Sequence, residues 1–416
     1  MPLTKYVSVT FTGGSNDGSA SNPYTTIEAA REDIADNATD DGPHYIILSE
    51  AAGGQTVYSA SYGMPSGFQQ EFWMGSYDRG VIVSGAHGQD IILDGKGVTS
   101  KSAFVFYGSG SGAHNLTIRN IGVTSYTNRG ALRFNKRPAD IRGVVITSSL
   151  AGGITGLGDY STTNTWTVID RCRIHMPPVD NRRVIDWDAH TRYALINNCL
   201  IILSGSAAAT PSRAIDANYS NSTTFSTASF CTVLVNVSDT NHTDSAIGIS
   251  AGLVKNCIVS MSLAHETNVN VGFILANDAT NNFYAGFNTG TRNAGVRRLI
   301  NGTSASFDST DLHYQKGLAL TLFNGPDLTF KNIYADWTLS ADAPGLNTGT
   351  AINYLGLTSV DLSGTARSQF SEPPDMGCFE LVTSPGYGHG VLGVASGDIV
   401  KVLGVATADI EKVLGI

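Results

Sequence analysis

Asp186, Asp188 and Asp216 are the residues of this chain whose type and spacing suit chemistry. Two of them directly follow members of a series of small-apolar pairs: Ala131-Leu132, Gly153-Ile154, Val184-Ile185, Ala214-Ile215, Ala246-Ile247 and Phe273-Ile274. If those pairs stack as strands, the next residues make one outward column of Arg133, Thr155, Asp186, Asp216, Gly248 and Leu275. Two positions on, Asn135, Leu157, Asp188, Asn218, Ser250 and Asn277 make a second column on the same side, because side chains alternate along a strand. Stacked strands lie about 4.8 Å apart and i, i+2 neighbours about 6.5–7 Å. The three carboxylates then converge, with Arg133, Asn135, Arg183, His190, Arg213 and Asn218 near enough to hydrogen-bond a sugar.

Three readings are open to such a cluster. Crowded carboxylates can act as acid and base on a glycosidic bond, since like charges raise one pKa. The same oxygens suit Ca²⁺, a hard cation, and no other cofactor is called for. Alternatively the aspartates form a solvated face on which arginines neutralise them from strand to strand. Other chemical signals are weaker. Gly248-Ile-Ser250-Ala-Gly252 has the spacing of a hydrolase nucleophile elbow but lacks a strand–turn–helix setting and triad partners. No Walker A, dinucleotide, His-Glu-x-x-His or Cys-x-x-Cys motif occurs.

The elements that must position these residues repeat. The small-apolar pairs recur at steps of 22, 31, 30, 32 and 27 residues. A second family of apolar strands recurs with them: NLTIRNIGV, ADIRGVVIT, TVIDRCRIH, ALINNCLII, TVLVNVS and GLVKNCIVS. Aligned on Ile121, Gly143, Cys172, Cys199, Val237 and Cys257, these advance by 22, 29, 27, 38 and 20. Two registers advancing together mean one coil with several strands per turn, whose rungs are stable only when stacked. Cys172, Cys199 and Cys257 should form an inward ladder. Trp187 should also point inward, where its bulk favours a one-residue shift of its strand. Of the aromatics in the 53–80 insertion (Tyr58, Tyr62, Phe68, Phe72, Trp73 and Tyr77), packing is the expected role, ahead of stacking on sugar rings. TTIEAAREDI (25–34) reads as an amphipathic helix laid over the first rung, shielding its open edge.

Composition agrees. Hydrophobic residues make up 42% and charged residues only 15%, with 46 glycines among 416 residues, which suits short strands and many turns. A net charge of −9 with no basic run argues against nucleic acid, and no apolar stretch is long enough for a membrane helix. Five cysteines lack disulfide or zinc spacing and should be buried free thiols.

Two resemblances sharpen the expectation. GSNDGSASNPYTTIEAA at the start, and LSADAPGLNTGT with VDLSGTARSQFSEPPDMGCFE towards the end (339–380), resemble the opening and closing segments of right-handed parallel β-helix proteins of the pectin-lyase-like superfamily. That implies an all-β fold: a right-handed parallel β-helix over 1–382 with an N-terminal capping helix, a linker at 383–390, and a short repeat segment at 391–416. The units VLGVASGDIVK and VLGVATADIEK, followed by VLGI, resemble repeats found near the ends of tailed-phage virion proteins. Each unit reads as an extended piece, an N-cap and one helical turn. Its apolar residues, Val391, Leu392, Val394, Val402, Leu403, Val405, Val413 and Leu414, should be buried against another chain in assembly, the alternative being that they fold back over the last rung as a cap. The N-terminus lacks a secretory h-region, so synthesis in a host cytoplasm is expected. Together these imply a virion-surface structural protein of tailspike, tail-fibre or capsid-decoration type. Its expected partners are other virion proteins, sister chains in a trimer and host surface polysaccharide. The alternative is a polysaccharide depolymerase, a hydrolase or lyase, using the acidic face.

Overall fold

In a computed structural model, the protein is a parallel β-helix. The structure describes residues 2–39, 43–49, 56–59, 70–73, 81–85, 91–95, 102–107, 116–124, 130–147, 152–157, 166–177, 183–187, 193–205, 213–217, 225–237, 247–263, 271–280, 282–287, 296–300, 303–305, 312–316, 337–339, 343, 346–349, 352, 357, 360–367, 373–381, 401–402 and 405–406.

Each rung crosses three faces in turn. A representative rung runs Ile154–Leu157 on the first face, Thr167–Asp170 on the second and Arg173–Met176 on the third. Each strand pairs in parallel with its equivalents above and below, so Ile169 lies between Ile141 and Ile196, and Ile174 between Ile146 and Ile201. Strand sequences are rich in Val and Ile because the pleated, half-buried surface favours branched side chains. Inward positions such as Ile141, Ile169, Ile174, Ile185, Ile201 and Ile215 are completely buried, and they merge into one apolar column. Higher up, Ile247–Lys255 is one unbroken strand that pairs with both the first and second faces of the rung below.

The corner between the second and third faces is built the same way on six rungs. Asn120, Gly143, Arg171, Asn198, Phe230 and Asn256 all take a positive φ, between 49° and 62°. The next residue on each rung, Ile121, Val144, Cys172, Cys199, Cys231 or Cys257, turns into the core. Backbone hydrogen bonds continue through the corner: Asn120 N donates to Arg142 O, Gly143 N to Asp170 O, Arg171 N to Asn197 O and Asn198 N to Ser229 O, each within 3.0–3.2 Å.

This corner confirms the cysteine ladder and corrects its register. Gly143 occupies the left-handed position, so its neighbour Val144 is the ladder member. On a later rung the member is Cys231, since Thr232 pairs with Leu200 below and Ile258 above, and Val237 lies on the following strand. On the first face, Ile215 pairs with Ile249 and Ile249 with Phe273. The Ala246-Ile247 and Phe273-Ile274 pairs are therefore displaced from the column expected of them. All five cysteines are buried and free.

The helix Ile27–Asn37 covers the first rung as expected. Thr26 caps it by accepting from Ala29 N, and Ile27, Ala30 and Ile34 are buried against the coil. Asp33 pins it there, accepting from Lys5 and from the Tyr24 hydroxyl. Tyr58 packs in the core and donates to the carbonyls of Val7 and Ser49, both at 2.9 Å. Of the other five aromatics of the insertion, Phe72 and Trp73 are described only as strand backbone, and Tyr62, Phe68 and Tyr77 lie outside the described residues.

The closing segment acts as a clasp on the flank of the coil. Trp337, Leu362, Cys378 and Phe379 pack over Leu200, Ile202 and Leu234, outward residues of the third face. Arg367 is buried beneath them. It donates to Asn198 Oδ1 at 2.8 Å, Gly377 O at 2.9 Å and Glu380 Oε2 at 3.0 Å, and its guanidinium lies 3.9 Å above the Phe230 ring. Both anchors on the coil, Asn198 and Phe230, are left-handed corner residues.

The corner conformation is measurable. A β-branched residue in the left-handed region costs about 1–2 kcal/mol, whereas glycine adopts it freely. Asn120, exposed at φ 53°, isolates that cost from packing. In urea denaturation, Asn120→Val should lose about 1–2 kcal/mol of stability and Asn120→Gly well under half of that.

Candidate functional site

Asp186 and Asp216 sit where the spacing placed them, on the first face and one directly above the other. Their neighbours Ile185 and Ile215 point inward and are fully buried, so both aspartates turn outward. Three residues earlier in each strand, Arg183 stacks on Arg213 in the same way.

In-register stacking puts like charge over like charge, and the arginines resolve it diagonally. Arg183 donates Nη1 to Asp186 Oδ1 on its own strand and Nε to Asp216 Oδ2 on the next, at 3.0 Å. Arg213 Nη1 reaches the same Asp216 oxygen at 2.6 Å. One carboxylate thus takes two guanidinium groups, which cover it: the Asp216 side chain is 6% exposed, against 21% for Asp186 and 34% for each arginine. Of the readings open in the sequence, neutralisation between strands describes this pair, although Asp216 is not solvated. A solvated face is therefore not formed at Asp216, because two guanidinium groups close over its carboxylate.

The remaining predicted site residues are less convergent. Arg133 is half-buried and pairs with Phe104's neighbour Val105 below and Thr155 above. Asn135 lies in the strand Leu132–Arg137, described as backbone only. Asp188, His190 and Asn218 lie outside the described residues. Trp187 is backbone-paired with Leu157, and the one-residue irregularity falls on the neighbouring strand at Gly156, φ +72°, while Ile185 and Asp186 keep register with Ile215 and Asp216. Ser250 of the elbow-like motif stacks on Asp216 in an unbroken strand, and Gly252 N donates to Ser226 Oγ, so the setting of a nucleophile elbow is not formed.

A second polar column was not singled out in the sequence. On the second face Arg142, Asp170, Asn197 and Ser229 stack in register. Asp170 is buried and accepts from Arg171 Nε at 2.9 Å and Asn197 Nδ2 at 3.0 Å; burial pushes its carboxyl above the ordinary range against those donors. Asn197 and Asn198 also donate to Leu357 O and Val360 O of the clasp. The available signal was the polar residue recurring just before the corner in DRC, NNC, SFC and KNC.

These features define a class, a parallel β-helix with charge-paired outer faces. No family model matches the chain, and no curated protein matches it. Among solved structures it is similar to the pectate lyase Pel9A, with a TM-score of 0.39 and 13% identity over 91% of this chain and 96% of that one.

Asp216 holds its two arginines from a buried position, so its loss leaves charge unpaired. Asp216→Asn should lower unfolding free energy by about 2–4 kcal/mol, and Asp186→Asn by less than about 1. Chemical denaturation of the two variants side by side measures the difference.

Proposed function

We propose that this chain is a structural or adhesive protein of a tailed-phage virion, displayed on the particle surface as a tailspike, tail-fibre or capsid-decorating subunit. The observation carrying the non-catalytic half of that reading is the Asp186–Arg183–Asp216–Arg213 network. A glycosidase acid must be free to hold and release a proton beside its substrate. Here Asp186 Oδ1 and Asp216 Oδ2 are both engaged by guanidinium groups, so the face presents fixed hydrogen-bonding groups for a host glycan. The virion half rests on the repeated ending. Lys401–Val402 pairs antiparallel with Val405–Ala406, so the apolar stretch of the second unit is not a single extended piece. Val391, Leu392, Val394, Leu403, Val413 and Leu414 lie outside the described residues, and Val402 and Val405 are described only as backbone. In this proposal those residues meet a sister chain or a capsid or tail protein, each buried aliphatic side chain contributing about 1.5–3 kcal/mol.

Incubation with host surface polysaccharide tests the first half. Binding with unchanged polymer length is expected, and shortened chains with new ends would establish the depolymerase instead. For the second half, the chain ended after Gly390 should keep the circular dichroism of the coil yet fail to join particles. Incorporation equal to that of the full chain would remove docking from the repeats.

A further inference from the structure

Four thiols stand one above another in the core. Cys172, Cys199, Cys231 and Cys257 are each fully buried and lie on consecutive rungs, since the residues directly after them pair as Arg173, Leu200, Thr232 and Ile258. All four side chains take the same orientation. Each Sγ points at the carbonyl two residues earlier, that of Asp170, Asn197, Ser229 or Lys255, at 3.4, 3.2, 3.3 and 3.3 Å. Three of them also face a carbonyl of the rung below, at 3.8, 3.7 and 3.6 Å. One geometry repeated at every rung spaces the sulfurs by about the rung distance, ~4.8 Å.

That spacing selects between two chemistries. A disulfide wants sulfurs at about 2.05 Å, so bridging two thiols held in this shared orientation would require both side chains to rotate out of it. A d¹⁰ metal–thiolate bond is about 2.3 Å, so two in line span about 4.6 Å and fit the gap with the backbone in place. We infer that this column is a soft-metal site, in which Cys172 with Cys199, and Cys231 with Cys257, each hold one two-coordinate divalent ion of the mercuric class. For each ion two S–H bonds break, two metal–sulfur bonds form and two protons leave to solvent, with no change in oxidation state. The product is neutral, the form that an apolar core tolerates, whereas a monovalent ion would leave one negative charge there. Zinc requires a tetrahedral set. Among the described residues no group of three or more His, Cys, Asp or Glu converges to supply one. Because two protons leave for each ion bound, uptake weakens as pH falls.

The test titrates the full-length protein with mercuric chloride, followed by dialysis against a monothiol to strip single-sulfur adducts. Sulfur-to-metal ultraviolet absorption and circular dichroism are read together. Two retained ions per chain with an unchanged β signal are expected, with zinc and calcium leaving the spectrum flat. Cys199→Ser should retain one ion, and Cys378→Ser, outside the column, should retain two. Should Cys199→Ser fail to fold, Cys172→Ser removes only the end member and should also retain one. Retention of no ion, retention only with loss of the β signal, or stoichiometry that follows Cys378 would overturn the site. So would a Cys172–Cys199 disulfide formed by the folded protein under mild diamide.

Discussion

The left-handed corner is the constraint on which the rest of this molecule depends. A coil of parallel strands must change direction on every rung without dropping its backbone ladder, because each buried amide left unpaired would cost about as much as the burial gained beside it. A single residue of positive φ turns the chain while its amide still bonds to the neighbouring rung, from Asn120 through Phe230. Once that residue is fixed, the next one must point inward. The thiol column, the buried polar column of Asp170, Asn197 and Ser229, and the seat of Arg367 all take their places from it.

Strict stacking brings a second difficulty wherever residue type repeats from rung to rung: Asp216 sits above Asp186, Arg213 above Arg183 and Arg142 above Arg119. Cross-strand like charges are destabilising, and a repeat that preserves residue type would accumulate the penalty. On the first face the problem is met by spacing opposite charges three residues apart, so that Arg183 joins the aspartates of two strands. On the second face Asp140 takes Arg142 on its own strand and Arg119 from the rung below. The same diagonal solution on two faces explains how a chain with few charged residues still places several of them on stacked strands.

Much of this was legible in the sequence, and the misses have physical causes. The stacking of Asp186 on Asp216 could be read because only short apolar pairs precede them, leaving the register no freedom. Cys231 was missed because the run Val233-Leu234-Val235 resembles the apolar pattern on its own, and alignment followed it rather than the corner. Steps of 32 and 26 residues through Cys231 are more even than 38 and 20 through Val237. Phe230 concealed the corner further, since an aromatic residue at positive φ is uncommon and carries no turn signature. The burial of Asp216 was not readable at all. It depends on how arginine side chains lie across a carboxylate, which spacing along one strand does not determine.

The Arg367 clasp has a consequence for how the chain is made. Its partner Asn198 lies 169 residues earlier, so the contact joins an early part of the chain to a late one. During vectorial synthesis the corner at Asn198 and Phe230 leaves the ribosome long before Arg367 exists to meet it. Rung upon rung can stack as it emerges, but the flank over Leu200 and Leu234 stays bare until Trp337, Leu362, Cys378 and Phe379 have followed. The nascent coil is therefore at its stickiest just before the clasp arrives. Afterwards the clasp grips the shaft at mid-length, and fraying that starts at either tip is halted where Arg367 holds.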